Sequence, residues 1–130
     1  MPHIFDDFRA IASRIPGTVA VEYCHRTGVD QVTFGDLAAL VEQAASTLAG
    51  LGVRAGDRCA ILGENHYRWF VAYLGILRLG AVAVPLDTAY TTSQVATVLR
   101  DSGAKAIATS RRYLDSAREA SGALEPAPHV

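Results

Sequence analysis

Short apolar runs alternate along this chain with stretches in which apolar residues recur every three or four positions. Val19 to Tyr23 and Gln31 to Phe34 are β-rich runs on either side of His25 to Asp30, a turn-forming stretch containing Thr27-Gly28, and together they predict a hairpin. The period then changes. Leu37, Leu40, Val41, Ala44, Leu48 and Leu51 fall at helical spacing behind Thr33, a fitting N-cap with Asp36 three residues on. Gly52 stops that helix, and Val53 is placed to make the hydrophobic contact of its cap.

From Cys59 one plan repeats: apolar strand, polar loop, helix, glycine, next strand. The strands are Cys59 to Leu62, Ala81 to Pro85 and Lys105 to Thr109. The helices are Tyr67 to Leu79, stopped by Gly80, Ser93 to Ser102, stopped by Gly103, and a last one near Arg112 to Ser121. Strands joined through helices of this length must run parallel, and the crossovers lay the helices on the sheet faces. The expected fold class is therefore α/β: a partial doubly wound, three-layer sheet with parallel strands, helices on its faces and an N-terminal β-hairpin.

The helix from Tyr67 is apolar nearly all round, with Trp69, Phe70, Val71, Leu74, Ile76, Leu77 and Leu79 covering more than one stripe. Such a helix wants cover on several sides, and a parallel sheet is normally buried on both faces. Further sheet neighbours are therefore expected, from additional sequence or from a second subunit, and exposed sheet surface makes a homo-oligomer an expectation too. Residues 1–124 are expected to form one subdomain; residues 125–130, Glu-Pro-Ala-Pro-His-Val, look like a linker, a fray or a truncation point.

Composition narrows the partners. The 130 residues suffice for one core and are 50% apolar, while 12 basic residues nearly cancel 13 acidic ones, so no basic field for nucleic acid is implied. Cys24 and Cys59 lack metal-ligand spacing, and the first stretch carries Asp6, Asp7 and Arg9 where a secretory signal needs an apolar core. The segment Phe70 to Leu86 is long and apolar, yet Arg78, Gly80 and Pro85 argue against a membrane span. A cytoplasmic protein is expected.

In open parallel sheets ligands settle outside the carboxyl ends of the strands. That rule points to Gly63-Glu64-Asn65-His66, Leu86 to Tyr90 and Ser110-Arg111, each leading into a helix whose N-terminus Asn65, Thr91 or Thr92, and Ser110 can cap. Neither GxGxxG after a strand nor GxxxxGK[ST] occurs. His66 beside Glu64 is a candidate acid–base pair without a nucleophile, and Arg111, Arg112 and Arg118 form a basic cluster that serves a phosphate or faces water.

In order along the chain, several strings resemble the adenylate-forming (AMP-binding) superfamily, which includes acyl-CoA synthetases of the long-chain fatty acid–CoA ligase kind. Val32-Thr33-Phe34-Gly35-Asp36-Leu37 resembles its first core motif; Leu51-Gly52-Val53 with Arg54-Ala55-Gly56-Asp57-Arg58 resembles its glycine-aspartate turn. Glu64-Asn65 with Trp69, then Leu79-Gly80-Ala81-Val82-Ala83-Val84-Pro85-Leu86-Asp87, then Asp101-Ser102-Gly103-Ala104-Lys105 continue that order from about Val19 to Thr109.

The resemblance implies an N-terminal part of a ligase that joins a carboxylate to ATP with Mg²⁺, forms an acyl-adenylate and passes the acyl group to coenzyme A. It also implies coenzyme A contacts at Asp87, Thr88, Ala89, Tyr90 and Arg118, although Asp87 and Thr88 replace the glycines common in that loop. No catalytic or metal-binding residue is implied. The family's Gly-rich loop ending in Pro-Lys-Gly, and its small C-terminal lid with a catalytic lysine, have no counterpart in these 130 residues. The chain alone is thus expected to be inactive and to hold no cofactor tightly, with the remainder of the ligase or a second subunit as its partner. The alternatives are a free-standing non-catalytic α/β binding or assembly module and, ranked last, a flavodoxin-like domain.

Overall fold

Helix formation begins earlier than the pattern above indicates. The structure, a computed structural model, describes residues 3–130, and its first element is a helix, α1 (Ile4–Arg14), capped by His3, whose Nδ1 accepts from the Phe5 amide at 3.3 Å. Phe5, Phe8 and Ala12 line one side of α1, acidic Asp6 and Asp7 sit in its first turn and Arg14 in its last, an arrangement that suits the helix dipole. The antiparallel hairpin follows as β1 (Val19–His25) and β2 (Gly28–Thr33), with a register shift between Val19 and Val21 that marks a bulge. Thr33 then caps α2 (Phe34–Gly50), its hydroxyl accepting from the Asp36 amide at 3.1 Å.

The rest is β3 (Arg58–Leu62), α3 (Tyr67–Arg78), β4 (Val82–Pro85), α4 (Thr92–Ser102), β5 (Ala106–Thr109), a 3-10 turn at Arg111–Tyr113 and α5 (Leu114–Gly122). The three strands form a wholly parallel sheet in the order β4-β3-β5. In β3, Cys59 and Ile61 pack with Leu48 of α2, Val53 and Ile76 of α3, while Ala60 and Leu62 pack with Val95 and Leu99 of α4 and Ala117 and Ala120 of α5. Alternation along one strand thereby builds two cores, one on each side of the sheet. Helix α1 adds an outer layer, with Phe5 against Val41 and Leu74. The α/β, three-layer expectation holds.

Several details differ from it. Asn65 does not cap α3; the next residue, His66, does, its Nδ1 accepting from the Arg68 amide at 3.1 Å. Thr91 opens α4 with a full capping box to Gln94, so that helix starts at Thr92. The final helix is preceded by the 3-10 turn, because the Ser110 hydroxyl bonds elsewhere and leaves that turn uncapped by a side chain. Residues 128–130, anticipated as a linker or fray, lie beside β5, with a parallel bridge between Ala106 and His129. As anticipated, α3 is short of cover: Leu74, Gly75 and Ile76 are buried, but Phe70 remains 53% exposed. No helix among the described residues is long and apolar enough to cross a membrane.

Helices α2 and α3 cross closely enough that residue 75 has no room for a side chain. A Cβ built on Gly75 would sit 2.9 Å from the Ala44 Cβ and 3.3 Å from the Ala45 amide nitrogen. Gly75→Val is expected to lower unfolding free energy by about 1–2 kcal/mol, overpacking outweighing the small gain in helix propensity. Gly50→Ala, where nothing lies within 4 Å, is expected to keep or raise stability. Urea unfolding of the two variants measures the contrast.

Candidate functional site

Strands β3 and β5 are neighbours, yet the chain leaves them toward opposite faces. After β3 it enters α3, on the side of α2; after β5 it enters the 3-10 turn and α5, on the side of α4. Diverging connections open a crevice at the carboxyl ends of the two strands, the topological switch point of an open parallel sheet. A cleft of about 340 Å³ occupies it, with Glu64 and Gly63 from one loop, Ser110 and Arg111 from the other, and Trp69 and His66 along the α3 wall.

One hydrogen bond ties the two loops. The Ser110 hydroxyl donates to Glu64 Oε2 at 2.6 Å, across 46 residues of sequence. That bond, reinforced first by the Glu64 backbone amide and then by the charges of Arg112 and His66, holds the Glu64 carboxyl below its ordinary 4.5 against the opposing effect of desolvation. The cleft therefore presents a carboxylate that stays ionised at neutral pH, and Arg111 is among its lining residues. His66 spends Nδ1 on the α3 cap, and its ring lies 4.3 Å from both the Tyr23 and Tyr67 rings. It serves as a joint between hairpin and helix, and the pairing with Glu64 that sequence adjacency suggested supplies no acid–base couple by itself.

The basic cluster is divided. Arg111 lines the cleft, Arg112 lies over the Tyr113 ring at 5.6 Å, and Arg118 is exposed on α5. Asp87, Thr88, Ala89 and Tyr90 are exposed and do not line the cleft. Asp87 instead shapes its own loop: Oδ1 accepts from the Ala89 amide at 2.8 Å and its carbonyl from the Tyr90 amide at 3.1 Å. A bond of 2.9 Å between the hydroxyls of Thr92 and Ser116 brings the start of α4 against α5, the helix that carries Arg118. Neither the Ser110–Glu64 nor the Thr92–Ser116 link is legible in the sequence, because each joins polar side chains far apart in the chain.

Comparison with known proteins agrees with this geometry. The profile of the family described as AMP-binding enzyme matches residues 8–129, and the chain belongs to that family. It is 36% identical over 77 residues to the long-chain-fatty-acid–CoA ligase FadD13 of Mycobacterium tuberculosis, covering 59% of this chain and 15% of that protein. It is 33% identical over 104 residues to the mitochondrial medium-chain acyl-CoA ligase ACSF2 of Rattus norvegicus, covering 80% of this chain and 17% of that one. Among solved structures, the N-terminal domain of FACL13 from Mycobacterium tuberculosis superposes with a TM-score of 0.84 at 30% identity, over 98% of this chain and 32% of that one. The chain thus spans about one-sixth of the length of these curated relatives.

Because the folded-state Glu64 carboxyl titrates below its ordinary value, the stability it contributes is present above pH 4.5 and is lost as pH falls through the depressed value. Ser110→Ala removes the largest cause. Its expected result is an upward move of the Glu64 titration, followed by carbon-detected NMR, with a stability deficit against the parent that shrinks as pH falls below 4.5.

Proposed function

We propose that this chain is the N-terminal scaffolding part of an ATP-dependent acyl-activating ligase, one that forms an acyl-adenylate and then an acyl-CoA, and that it does not catalyse by itself. The observation that carries this is the family match over residues 8–129 in a chain that spans only 15% and 17% of two acyl-CoA ligases. Catalysis of adenylation needs charge-stabilising groups held around the transferring phosphate. The Pro-Lys-Gly loop and the lid lysine that resemblance assigns to this task are not in these 130 residues. What the chain offers is a rigid parallel sheet with a preformed rim, one wall against which the remainder of the ligase completes a site.

Within that complete ligase, ATP and Mg²⁺ belong to the remainder. Coenzyme A has its contacts on this part at Asp87, Thr88, Ala89 and Tyr90, with Arg118 as a phosphate partner. A turn closed by the Asp87 carboxylate and a helix carrying Arg118 fixed to α4 through Ser116 suit that assignment, since both hold exposed polar groups in place before ligand arrives. A role in fatty acid metabolism follows from the relatives' names, a long-chain-fatty-acid–CoA ligase and a medium-chain acyl-CoA ligase, the latter mitochondrial; the cytoplasmic location is carried only by the sequence reading.

Incubating the isolated chain with ATP, Mg²⁺, a fatty acid and coenzyme A is expected to release no pyrophosphate above the protein-free rate. Steady turnover that tracks the chain through purification would overturn the scaffolding assignment.

A further inference from the structure

Helices α1 and α3 both begin on a histidine that caps through a ring nitrogen. His3 accepts from the Phe5 amide at 3.3 Å and His66 from the Arg68 amide at 3.1 Å, each through Nδ1. An imidazole nitrogen accepts only while it carries no proton, so these caps exist in the neutral ring alone. Charging the ring turns Nδ1 into a donor, breaks the bond to the helix amide and sets like charge against the positive end of the helix dipole. The hydroxyls and amides that usually cap helices carry no such dependence.

At His66 this dependence meets the cleft. Its ring lies 4.3 Å from the Tyr23 ring of β1 and 4.3 Å from the Tyr67 ring, whose faces hold a neutral or a charged imidazole alike. The side chain therefore stays at the rim in either state. Arg68 and Arg111 line the same cleft and repel a charged ring, whereas Glu64, which also lines it, attracts one. Arg112 bears on that carboxylate as well. Beyond Tyr23, at 6.2 Å between ring centroids, the His25 ring bonds to Asp30 at 3.2 Å within the hairpin. Glu64 keeps its second carboxylate oxygen after Oε2 has accepted from Ser110, so it can take a donor from His66 without giving up the bond that ties the two loops.

We infer that His66 is a proton-operated switch at the rim: neutral, it caps α3; charged, it releases the Arg68 amide and pairs with Glu64, while the two tyrosines keep it in place. The cleft thereby gains a positive charge as pH falls through the range in which histidine titrates, and the first turn of α3 loosens in the same step. Every group involved lies in this chain, so the switch goes beyond the scaffolding assignment and stands apart from it.

NMR on the chain between about pH 8 and about pH 5, the span in which histidine changes charge, tests both halves of the switch. In the parent, protection of the Arg68 amide against exchange, corrected for the intrinsic rate, is expected to fall about fivefold as the His66 ring titrates. The Glu64 side-chain carboxyl carbon is expected to shift over the same span, above its own titration. His66→Asn supplies a cap without a titrating group, and is expected to hold the Arg68 protection constant and to silence the Glu64 shift. Steady Arg68 protection in the parent while the His66 ring titrates would overturn the cap switch. A Glu64 carbon that stays still through that titration would overturn the pairing, and a parent-like response in His66→Asn would overturn the assignment to His66.

Discussion

Everything in this molecule is arranged around one strand that water cannot reach. Cys59, Ala60, Ile61 and Leu62 of β3 are at most 2% exposed, flanked by parallel strands on both edges and by helices on both faces. A strand so placed has every backbone group paired and every side chain in a core, so it can be short and still set the direction of everything joined to it. The two clusters that meet at β3 hold α2 and α3 to one side and α4 and α5 to the other. The rim at its carboxyl end inherits that order, since the loops after β3 and β5 are forced apart by the faces they must reach.

The strings shared with the AMP-binding family acquire a physical meaning from this arrangement. In the glycine-aspartate turn the Arg54 amide donates to Asp57 Oδ2 at 2.7 Å, the Asp57 carbonyl accepts from the Val82 amide at 2.7 Å, and the Gly56 amide donates to the Gly80 carbonyl at 2.9 Å. Gly56 and Gly80 take φ of 84° and 71°, left-handed values that side chains resist. Two separate family strings thus meet at the point where β3 and β4 begin side by side. These residues start the sheet.

The sheet and its helices were legible because each signal was local: an apolar run, a capping residue and a glycine with positive φ at its end. Helix α1 was equally local in Phe5, Phe8 and Ala12, but its cap is a histidine, outside the usual capping residues, and acidic residues interrupt its apolar face. His66 displaced Asn65 as the α3 cap for a non-local reason, since its ring is also held by Tyr23 of the hairpin. Strand order alone brought the loops after β3 and β5 together at one rim, whereas Leu86 to Tyr90, expected with them, lies outside the cleft. The rim's internal bonds were not legible, because Ser110 to Glu64 and Thr92 to Ser116 depend on which loops the folded sheet brings together. The tail carried two prolines and no apolar run, so composition gave no hint that His129 pairs with β5.

Native-state hydrogen exchange on the β3 amides tests the central place of this strand most directly. If β3 anchors the fold, Ala60, Ile61 and Leu62 exchange only through global unfolding, with an opening free energy equal to that from urea denaturation. Exchange of these amides at clearly lower free energy, while α2 and α4 stay protected, would contradict the account.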